Sequence, residues 1–357
     1  MNLPRWTGPI RHSEGGELLE AFFVAAVASV LSIRWFLTLT GFPQVGGSGL
    51  HIAHMLWGGL FMLVALVLLF AYLDRSVQRL SAVLAGIGFG TFIDEIGKFV
   101  TSDNDYFFQP AVSLIYVVFV ALFLVIRAIT ASPRLSGREA LANALDVLED
   151  DVGRPMDPQT RHEILRLLRR ADPSDSLVEA VHRYVITLPT RADDPSPVAR
   201  LATRLDRVYD RLAAHPRFAR AMFAVAVLWS VAAVAAEAVL VLVLQAPSHG
   251  SPSSVAELGE LGSGLVGAVL VLRGALELAT SRLRAYAWFV RGLLVWILVT
   301  QVFLFYEWQL QALAGLAVDL VAYAALRFMT SRERAATRHT ARPAALSAGA
   351  EGASTSA

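Results

Sequence analysis

The sequence predicts an all-α fold: a polytopic membrane bundle of about eight transmembrane helices with an inserted cytoplasmic helical domain. The first observation is composition, because 55% of the 357 residues are hydrophobic, 17% are charged and the mean hydropathy is +0.53. A soluble domain usually carries about 25% charged residues. The second observation is a set of apolar runs close to the roughly 20 residues that cross a hydrocarbon core of about 30 Å. These runs cover 18–40, 50–72, 80–100, 109–130, 222–246, 256–280, 286–305 and 309–329.

Charge and cysteine content exclude several classes of function. The formal net charge is +1, so no nucleic-acid partner is expected. The absence of cysteine excludes disulfides, iron–sulfur clusters and thiol nucleophiles. Lys98 is the only lysine in a chain that otherwise uses arginine, which suggests that a compact charge is wanted there.

The distribution of arginine predicts the orientation of the bundle. The predicted loops 41–49, 101–108, 247–255 and 306–308 contain no lysine or arginine, whereas the segment 127–220 is rich in arginine. Cytoplasmic loops are the ones enriched in basic residues. Both termini are therefore predicted to be cytoplasmic.

The apolar runs divide the chain into four parts. Two predicted four-helix halves flank a polar segment, and a tail rich in Ala, Ser and Gly follows the last run, which predicts a disordered cytoplasmic tail. The predicted boundaries are 1–131, 132–221, 222–330 and 331–357.

The polar segment 132–221 is interpreted as a small four-helix bundle. Ser136 and Glu139 have capping-box spacing, and Asp157-Pro158 and Asp172-Pro173 each resemble an N-cap followed by a first-turn proline. Such a bundle offers a surface for a cytoplasmic protein partner.

Short similarities between the two halves raise the question of a duplication. Residues 47–50 read Gly-Ser-Gly-Leu, as do residues 262–265. Two interpretations stay open, namely a degenerate 4+4 repeat and chance similarity in an Ala/Leu-rich chain. The oligomeric state is not predicted by either.

Polar residues concentrate at one end of the second and third predicted helices. His51 and His54 are three residues apart and share a face. Along the third run, Gly86, Gly90, Asp94 and Lys98 each follow at four-residue spacing, with Glu95 next to Asp94. The simplest packing would set the Gly58 face of the second helix against the Gly86 and Gly90 face of the third.

Further charged residues fall near the same membrane level. Arg34 of the first run lies there by helical rise, and the following loop adds Asp103 and Asp105. Glu237 of the fifth run would reach this level if the halves packed together. Ionisable groups inside a membrane are costly, so such a cluster predicts a functional site.

The cluster is compatible with several chemistries. His51, His54 and Asp94 form an acceptable ligand set for Zn, Mn or Fe. In an enzyme, Glu95 would act as acid/base and Lys98 or Arg34 would stabilise an anion, for hydrolysis or transfer on a lipid-like substrate. The alternatives are a proton- or ion-coupled transporter or channel-like protein that uses Asp94 and Glu95, and a scaffold that acts through segment 132–221.

Residues 51–108 also carry a family resemblance. His51-x-x-His54, the Phe-Ile-Asp-Glu-Ile-Gly-Lys run at 92–98 and the Asp-Asn-Asp-Tyr-Phe run at 103–107 resemble a bacterial family of multi-pass membrane proteins with no assigned activity. The resemblance covers about the first third of the chain, and it implies a location in the bacterial cytoplasmic membrane without implying a reaction.

Overall fold

The computed structural model describes residues 8–40, 54–101, 108, 110–131, 135–149, 155–190, 255–278, 280–330 and 333. Regular structure in these ranges is helical, apart from one isolated β-bridge between Met156 and Thr190. The all-α prediction is confirmed. The chain divides into two compact units, Met1–Phe108 with Val118–Pro197 and Gln109–Val117 with Val198–Ala357.

Eight helices precede residue 190, and four more follow residue 254, within the described ranges. The first set is α1 (Gly15–Thr40), α2 (His54–Ala71), α3 (Arg75–Ile93), α4 (Ile96–Val100), α5 (Ala111–Thr130), α6 (Gly137–Glu149), α7 (Pro158–Leu168) and α8 (Ser176–Thr187). The second set is α9 (Val255–Glu277), α10 (Arg282–Val295), α11 (Gln301–Trp308) and α12 (313–330), with a π-helical stretch at Trp296–Thr300 and a 3₁₀ turn at Gln309–Ala312.

Six helical segments are long and apolar enough to cross a membrane, which supports a multi-pass membrane protein. They are Gly15–Thr40, His54–Ala71, Arg75–Ile93, Ala111–Thr130, Leu258–Glu277 and Arg282–Thr330. The predicted fifth run at 222–246 and the tail 331–357 fall outside the described residues, except for Glu333. The count of eight, the 4+4 repeat, the orientation and the four domain boundaries therefore stay predictions.

Helix α3 lies against α1 through two glycines. A Cβ atom added at Gly86 would lie under 3.0 Å from the carbonyl oxygen of Phe22, and one at Gly90 would meet the carbonyl oxygen of Ala26 equally closely. Side-chain-free positions four residues apart thus let the two helix backbones touch.

The opposite side of α3 lies equally close to α2. A Cβ atom at Gly58 would lie 2.7 Å from the carbonyl oxygen of Gly88, and one at Gly88 would lie 2.6 Å from that of Gly58. The predicted packing of Gly58 on Gly86 and Gly90 is therefore wrong. Alternate glycines of α3 serve two different neighbours, because residues two apart point to different sides of a helix.

The described part of segment 132–221 contains three helices with an apolar core of their own, here called the three-helix domain. Residues Val147, Ile164, Leu167 and Val185 from α6, α7 and α8 lie buried together. The predicted fourth helix lies beyond residue 190, outside the described residues.

The starts of these helices follow the predicted capping signals in two of three cases. Ser136 and Glu139 exchange hydrogen bonds as a capping box, and the carboxylate of Asp157 accepts from the amides of Gln159 and Thr160. Asp172 does not cap α8; its carboxylate accepts from Ser174 in a turn, and Asp175 caps the helix instead. The turn delays the start of the helix to Ser176.

Residues 11–14, here called the N-terminal clasp, bind the three-helix domain. The guanidinium of Arg11 donates to both carboxylate oxygens of Glu139, at 2.8 and 3.2 Å. The side chain of the buried Asn143 accepts from the amide of Ser13 at 2.6 Å and donates to the carbonyl oxygen of Arg11 at 2.8 Å. Clasp and domain are thus joined by charged and neutral hydrogen bonds.

The last residue of the clasp binds the start of α3. The carboxylate of Glu14 accepts from Arg75 at 2.6 Å and from Arg79 at 3.2 Å, and Arg75 also lies 3.5 Å from a carboxylate oxygen of Asp146 on α6. One ion-pair cluster therefore connects the beginnings of α1 and α3 to the three-helix domain.

The long apolar segment at the end of the chain folds back on itself. Gln309 has a φ of 48°, a conformation that ends the helix before it. Ala322 and Leu326 of α12 lie in the same core cluster as Phe289 and Leu293 of α10. Residues 313–330 therefore run back along the preceding helix.

Replacing Gly90 by alanine is expected to lower the free energy of unfolding by about 1–3 kcal/mol, since the new methyl group would press on the backbone of α1. The matched control is Gly59→Ala on α2, where an added Cβ meets nothing within 4 Å. That change should be neutral or stabilising, because alanine favours a helix by about 1 kcal/mol over glycine. Thermal unfolding in detergent micelles measures both, and equal effects of the two substitutions would contradict the packing described.

The clasp is expected to weaken in acid. Hydrogen bonds from Arg11 and then from Ser136 lower the pKa of Glu139 below its ordinary value. A carboxyl with a lowered pKa in the folded state stabilises fully above its unfolded value of about 4.3 and loses this contribution as the pH falls further. The midpoint of thermal unfolding should therefore differ between the wild type and Glu139→Gln at neutral pH, and this difference should shrink below about pH 4.3.

The control for this comparison is Glu163→Gln on α7, whose ion pair with Arg166 is exposed. An exposed pair contributes little, so a small difference is expected for it at every pH. A Glu139→Gln difference that stays constant between neutral and acid pH would refute the role of the carboxylate.

Candidate functional site

Four short stretches of the first unit bring the predicted polar residues together. Arg34 lies on α1, His54 is the first residue of α2, Asp94 and Glu95 lie between α3 and α4, and Lys98 lies on α4. Arg34 follows the start of α1 by nineteen residues, as Asp94 follows the start of α3. A rise of 1.5 Å per residue places both about 28 Å from the clasp end of their helices. The site therefore lies at the end of the spans opposite the clasp.

Asp94 is completely buried and contacts a guanidinium group and an imidazole ring. Its Oδ1 atom accepts from Nε of Arg34 at 2.6 Å, and its backbone carbonyl accepts from Nη2 of the same guanidinium at 3.2 Å. Its Oδ2 atom lies 3.1 Å from Nε2 of His54. Arg34 thus holds both the side chain and the backbone at this position.

Glu95 is completely buried as well, and its two oxygens differ. Oε1 lies 2.8 Å from Nζ of Lys98 and 3.1 Å from Nδ1 of His54. Oε2 has no hydrogen-bond partner among the described residues. A buried carboxylate oxygen without a partner is costly, so this atom is an acceptor available to a proton or a ligand.

His54 lies between the two carboxylates, with one ring nitrogen facing each. A neutral imidazole has one N–H donor and one acceptor nitrogen, whereas an imidazolium ion donates through both. Both nitrogens of His54 face carboxylate oxygens at 3.1 Å. The geometry therefore suits a doubly protonated ring, or a neutral ring with one of the two carboxyls protonated.

A break in the helix makes this arrangement feasible. The sequence predicted one helix over 80–100, but α3 ends at Ile93 and α4 begins at Ile96. Adjacent residues of a regular helix point about 100° apart and do not face one group. The turn at Asp94 and Glu95 brings neighbouring carboxylates to opposite sides of the same imidazole.

The two carboxylates of the site are buried, whereas His54 and Lys98 beside them are partly exposed. The side chains of Asp94 and Glu95 are 0% exposed, whereas those of His54 and Lys98 are 28% and 22% exposed. A proton or ligand entering from this end of the bundle therefore meets His54 and Lys98 before the carboxylates.

The predicted metal-ligand set is not tested by these contacts. No group of three or more His, Asp or Glu side chains with metal-ligand geometry occurs in the described part of the chain. His51, Asp103, Asp105 and Glu237 lie outside it, so their places near the site stay predictions.

One polar pair beside the site was not foreseen. The hydroxyl groups of Ser29 and Thr91 lie 3.0 Å apart at the α1–α3 contact. Each also lies within hydrogen-bond distance of the carbonyl oxygen of Ile87. Thr91 precedes Asp94 by three residues and shares its face, which is a signal that spacing could have given. The pair extends the polar region about one helical turn deeper than Asp94.

Comparison of the chain with family models, with curated proteins and with solved structures finds no match. No activity is therefore carried over from another protein, and the resemblance of residues 51–108 adds none. The function has to be inferred from the contacts of the site.

Removing the guanidinium of Arg34 is expected to leave Asp94 with an uncompensated buried charge. Arg34→Gln should lower the free energy of unfolding by about 3–5 kcal/mol. The double variant Arg34→Gln/Asp94→Asn should recover part of this loss, with a coupling free energy of about 1–3 kcal/mol in a double-mutant cycle. Chemical or thermal unfolding in detergent provides the four free energies.

A matched cycle on α8 tests whether burial is the cause. Arg183 and Glu179 also lie 2.6 Å apart, but both are exposed. Their coupling free energy should be about 0.3–0.5 kcal/mol, as for other exposed helical pairs. Equal coupling in the two cycles would show that Asp94 does not depend on Arg34 in the way proposed.

Proposed function

We propose that the chain is a multi-pass membrane protein that binds and releases protons at His54, Asp94 and Glu95, as the coupling step of a proton-driven transporter. One observation carries the proposal: both ring nitrogens of His54 lie 3.1 Å from a carboxylate oxygen, within a bundle of apolar helices. Such a trio changes its hydrogen bonding with each proton gained or lost.

Charge balance makes one proton the variable of the site. Arg34 and Lys98 each bring a positive charge, and Asp94 and Glu95 each bring a negative one. These four charges cancel. The net charge of the site therefore depends on whether one additional proton is bound by His54 or by a carboxylate next to it. A net charge inside a membrane is costly, so proton binding depends on how polar the surroundings of the site are.

Glu95 provides a second place for that proton. Its Oε1 atom already contacts His54 and Lys98, whereas Oε2 has no partner among the described residues. A proton that leaves Nδ1 of His54 for Glu95 converts the imidazolium to neutral imidazole and the carboxylate to a carboxylic acid. The numbers of protons and charges are conserved in this transfer.

The packing around the site favours a carrier over an open channel. Gly86 and Gly90 bring α3 into backbone contact with α1 directly below the site, leaving no room for even one added methyl group. A proton or solute can pass between α1 and α3 at this level only when these two helices move apart. Transporters that expose one site alternately to the two sides work in this way.

The proposed setting is the bacterial cytoplasmic membrane with both termini cytoplasmic. In this orientation the site opens to the extracytoplasmic side, and the clasp and the three-helix domain lie in the cytoplasm. A proton would then enter from outside through His54. The three-helix domain would be the place for a cytoplasmic partner.

The metal-dependent hydrolase or transferase predicted from the sequence is a separate hypothesis. It would need His51 to join His54 and Asp94 around Zn, Mn or Fe, with Arg34 and His54 released from their present contacts with Asp94. Metal content of the purified wild type, beside a His51→Ala/His54→Ala variant, tests it. Wild-type protein without metal under metal-replete conditions would exclude it.

Electrical recording from proteoliposomes on a solid support tests the proposed proton binding without knowledge of the substrate. A pH jump from about 8 to about 5 covers the ordinary titration of histidine and approaches that of glutamate. We expect a transient current from the wild type that disappears in His54→Gln and in Glu95→Gln, because each removes one proton-binding member of the trio.

The control variants carry the same substitutions in the three-helix domain, away from the site. His182→Gln and Glu163→Gln should retain the wild-type current. A wild type that gives no transient, or His54 and Glu95 variants that fold normally and respond like the wild type, would refute the proposal.

A further inference from the structure

A second cluster of charged residues lies in the other unit, at the turn between α9 and α10. Segment 273–291 contains four arginines and one glutamate. Glu277 lies 4.0 Å from Arg273 and 3.5 Å from Arg284, so one carboxylate serves two guanidinium groups. The segment keeps an excess of positive charge.

Two of these arginines meet at one tryptophan. The guanidinium carbon of Arg291 lies 4.5 Å from the ring centroid of Trp288, and that of Arg273 lies 5.5 Å from it. The two carbons are therefore no more than 10.0 Å apart. Both guanidinium groups therefore present positive charge around one indole ring, and an anion bound there would be attracted to both.

The surroundings of Arg273 are apolar and face outward. Arg273 is 62% exposed, and the adjacent Leu272 and the nearby Leu276 are 62% and 72% exposed. A partner for this surface has to offer hydrocarbon to the leucines and negative charge to the guanidinium groups. A phospholipid with an anionic headgroup has both.

Helix length places the cluster at the boundary of the hydrocarbon core. The helical run from Arg282 to Trp308 has 27 residues and is about 40 Å long, about 10 Å more than the core. Trp288 lies about 9 Å from the start of α10 by helical rise. If the roughly 10 Å by which this run exceeds the core lies at its Arg282 end, the indole of Trp288 lies at the membrane interface. Tryptophan is enriched there, and arginine side chains reach the headgroups from there.

We propose that Arg273, Trp288 and Arg291 form a binding site for the phosphate group of an anionic phospholipid. The two guanidinium groups hold the phosphate, the indole fixes their position, and the exposed leucines of α9 contact the acyl chains. This site is independent of the proton site, since it uses none of the same residues.

Native mass spectrometry of the purified full-length protein tests the proposal. Micelles are supplied with phosphatidylglycerol or with phosphatidylcholine, and the fraction of protein that retains a lipid is measured. The wild type should retain phosphatidylglycerol in preference to phosphatidylcholine. Arg273→Gln/Arg291→Gln should bind phosphatidylglycerol about thirtyfold more weakly, from about fivefold for each arginine.

The control variant Arg166→Gln/Arg183→Gln removes the same charge from exposed positions on α7 and α8. It should bind phosphatidylglycerol like the wild type. Equal retention of the two lipids by the wild type would overturn the proposal even if the variants failed to fold. So would an equal loss in both double variants, or displacement of phosphatidylglycerol by inorganic phosphate alone at millimolar concentration.

Discussion

Backbone contact between α3 and its two neighbours is the constraint on which the first unit depends. Gly86 and Gly90 of α3 admit α1, and Gly88 of α3 meets Gly58 of α2, so α3 is in backbone contact with both neighbours. In a membrane, where lipid tails are as apolar as leucine, close packing of this kind replaces the hydrophobic effect as a source of association. It also fixes the position of each helix along its neighbour, because helices held backbone to backbone cannot slide by a fraction of a turn. Arg34, His54 and Asp94 meet for that reason.

The polar site shows how two adjacent carboxylates can be kept inside such a bundle. Asp94 and Glu95 are fully buried, and each faces a different permanent cation, Arg34 for the first and Lys98 for the second. The forked guanidinium of Arg34 donates through Nε to the side chain of Asp94 and through Nη2 to its backbone carbonyl. The compact ammonium of Lys98 leaves one oxygen of Glu95 without a partner among the described residues. Asp94 is thus held at both side chain and backbone by Arg34, whereas Glu95 beside Lys98 keeps one oxygen available.

Much of this fold could be predicted from hydropathy, and part of the site from spacing. The long apolar runs marked α1, α2 and α5 to within about four residues, whereas the run at 80–100 merged the end of α3 with α4. Three-residue and four-residue spacing singled out His54 and Asp94. The glycine pattern of α3 was assigned to the wrong neighbour, because Gly86, Gly88 and Gly90 look alike in sequence and only tertiary packing decides which helix each admits. The break at Asp94 and Glu95 had no signal, since neither glycine nor proline marks it. The ion pair of the clasp between Arg11 and Glu139 joins residues 128 positions apart, and no local pattern reports it.

That separation has a consequence for the order in which the protein is made. Arg11 and Ser13 bind residues 128 and 130 positions further along the chain. At translation rates of about 5–20 residues per second, the partners emerge roughly 6–26 s after the first of these residues. The segment before α1 therefore leaves the ribosome, and α1 enters the bilayer, while Glu139 and Asn143 do not yet exist. Closure of the clasp is therefore a late event in biogenesis, since it cannot occur before α6 has been made.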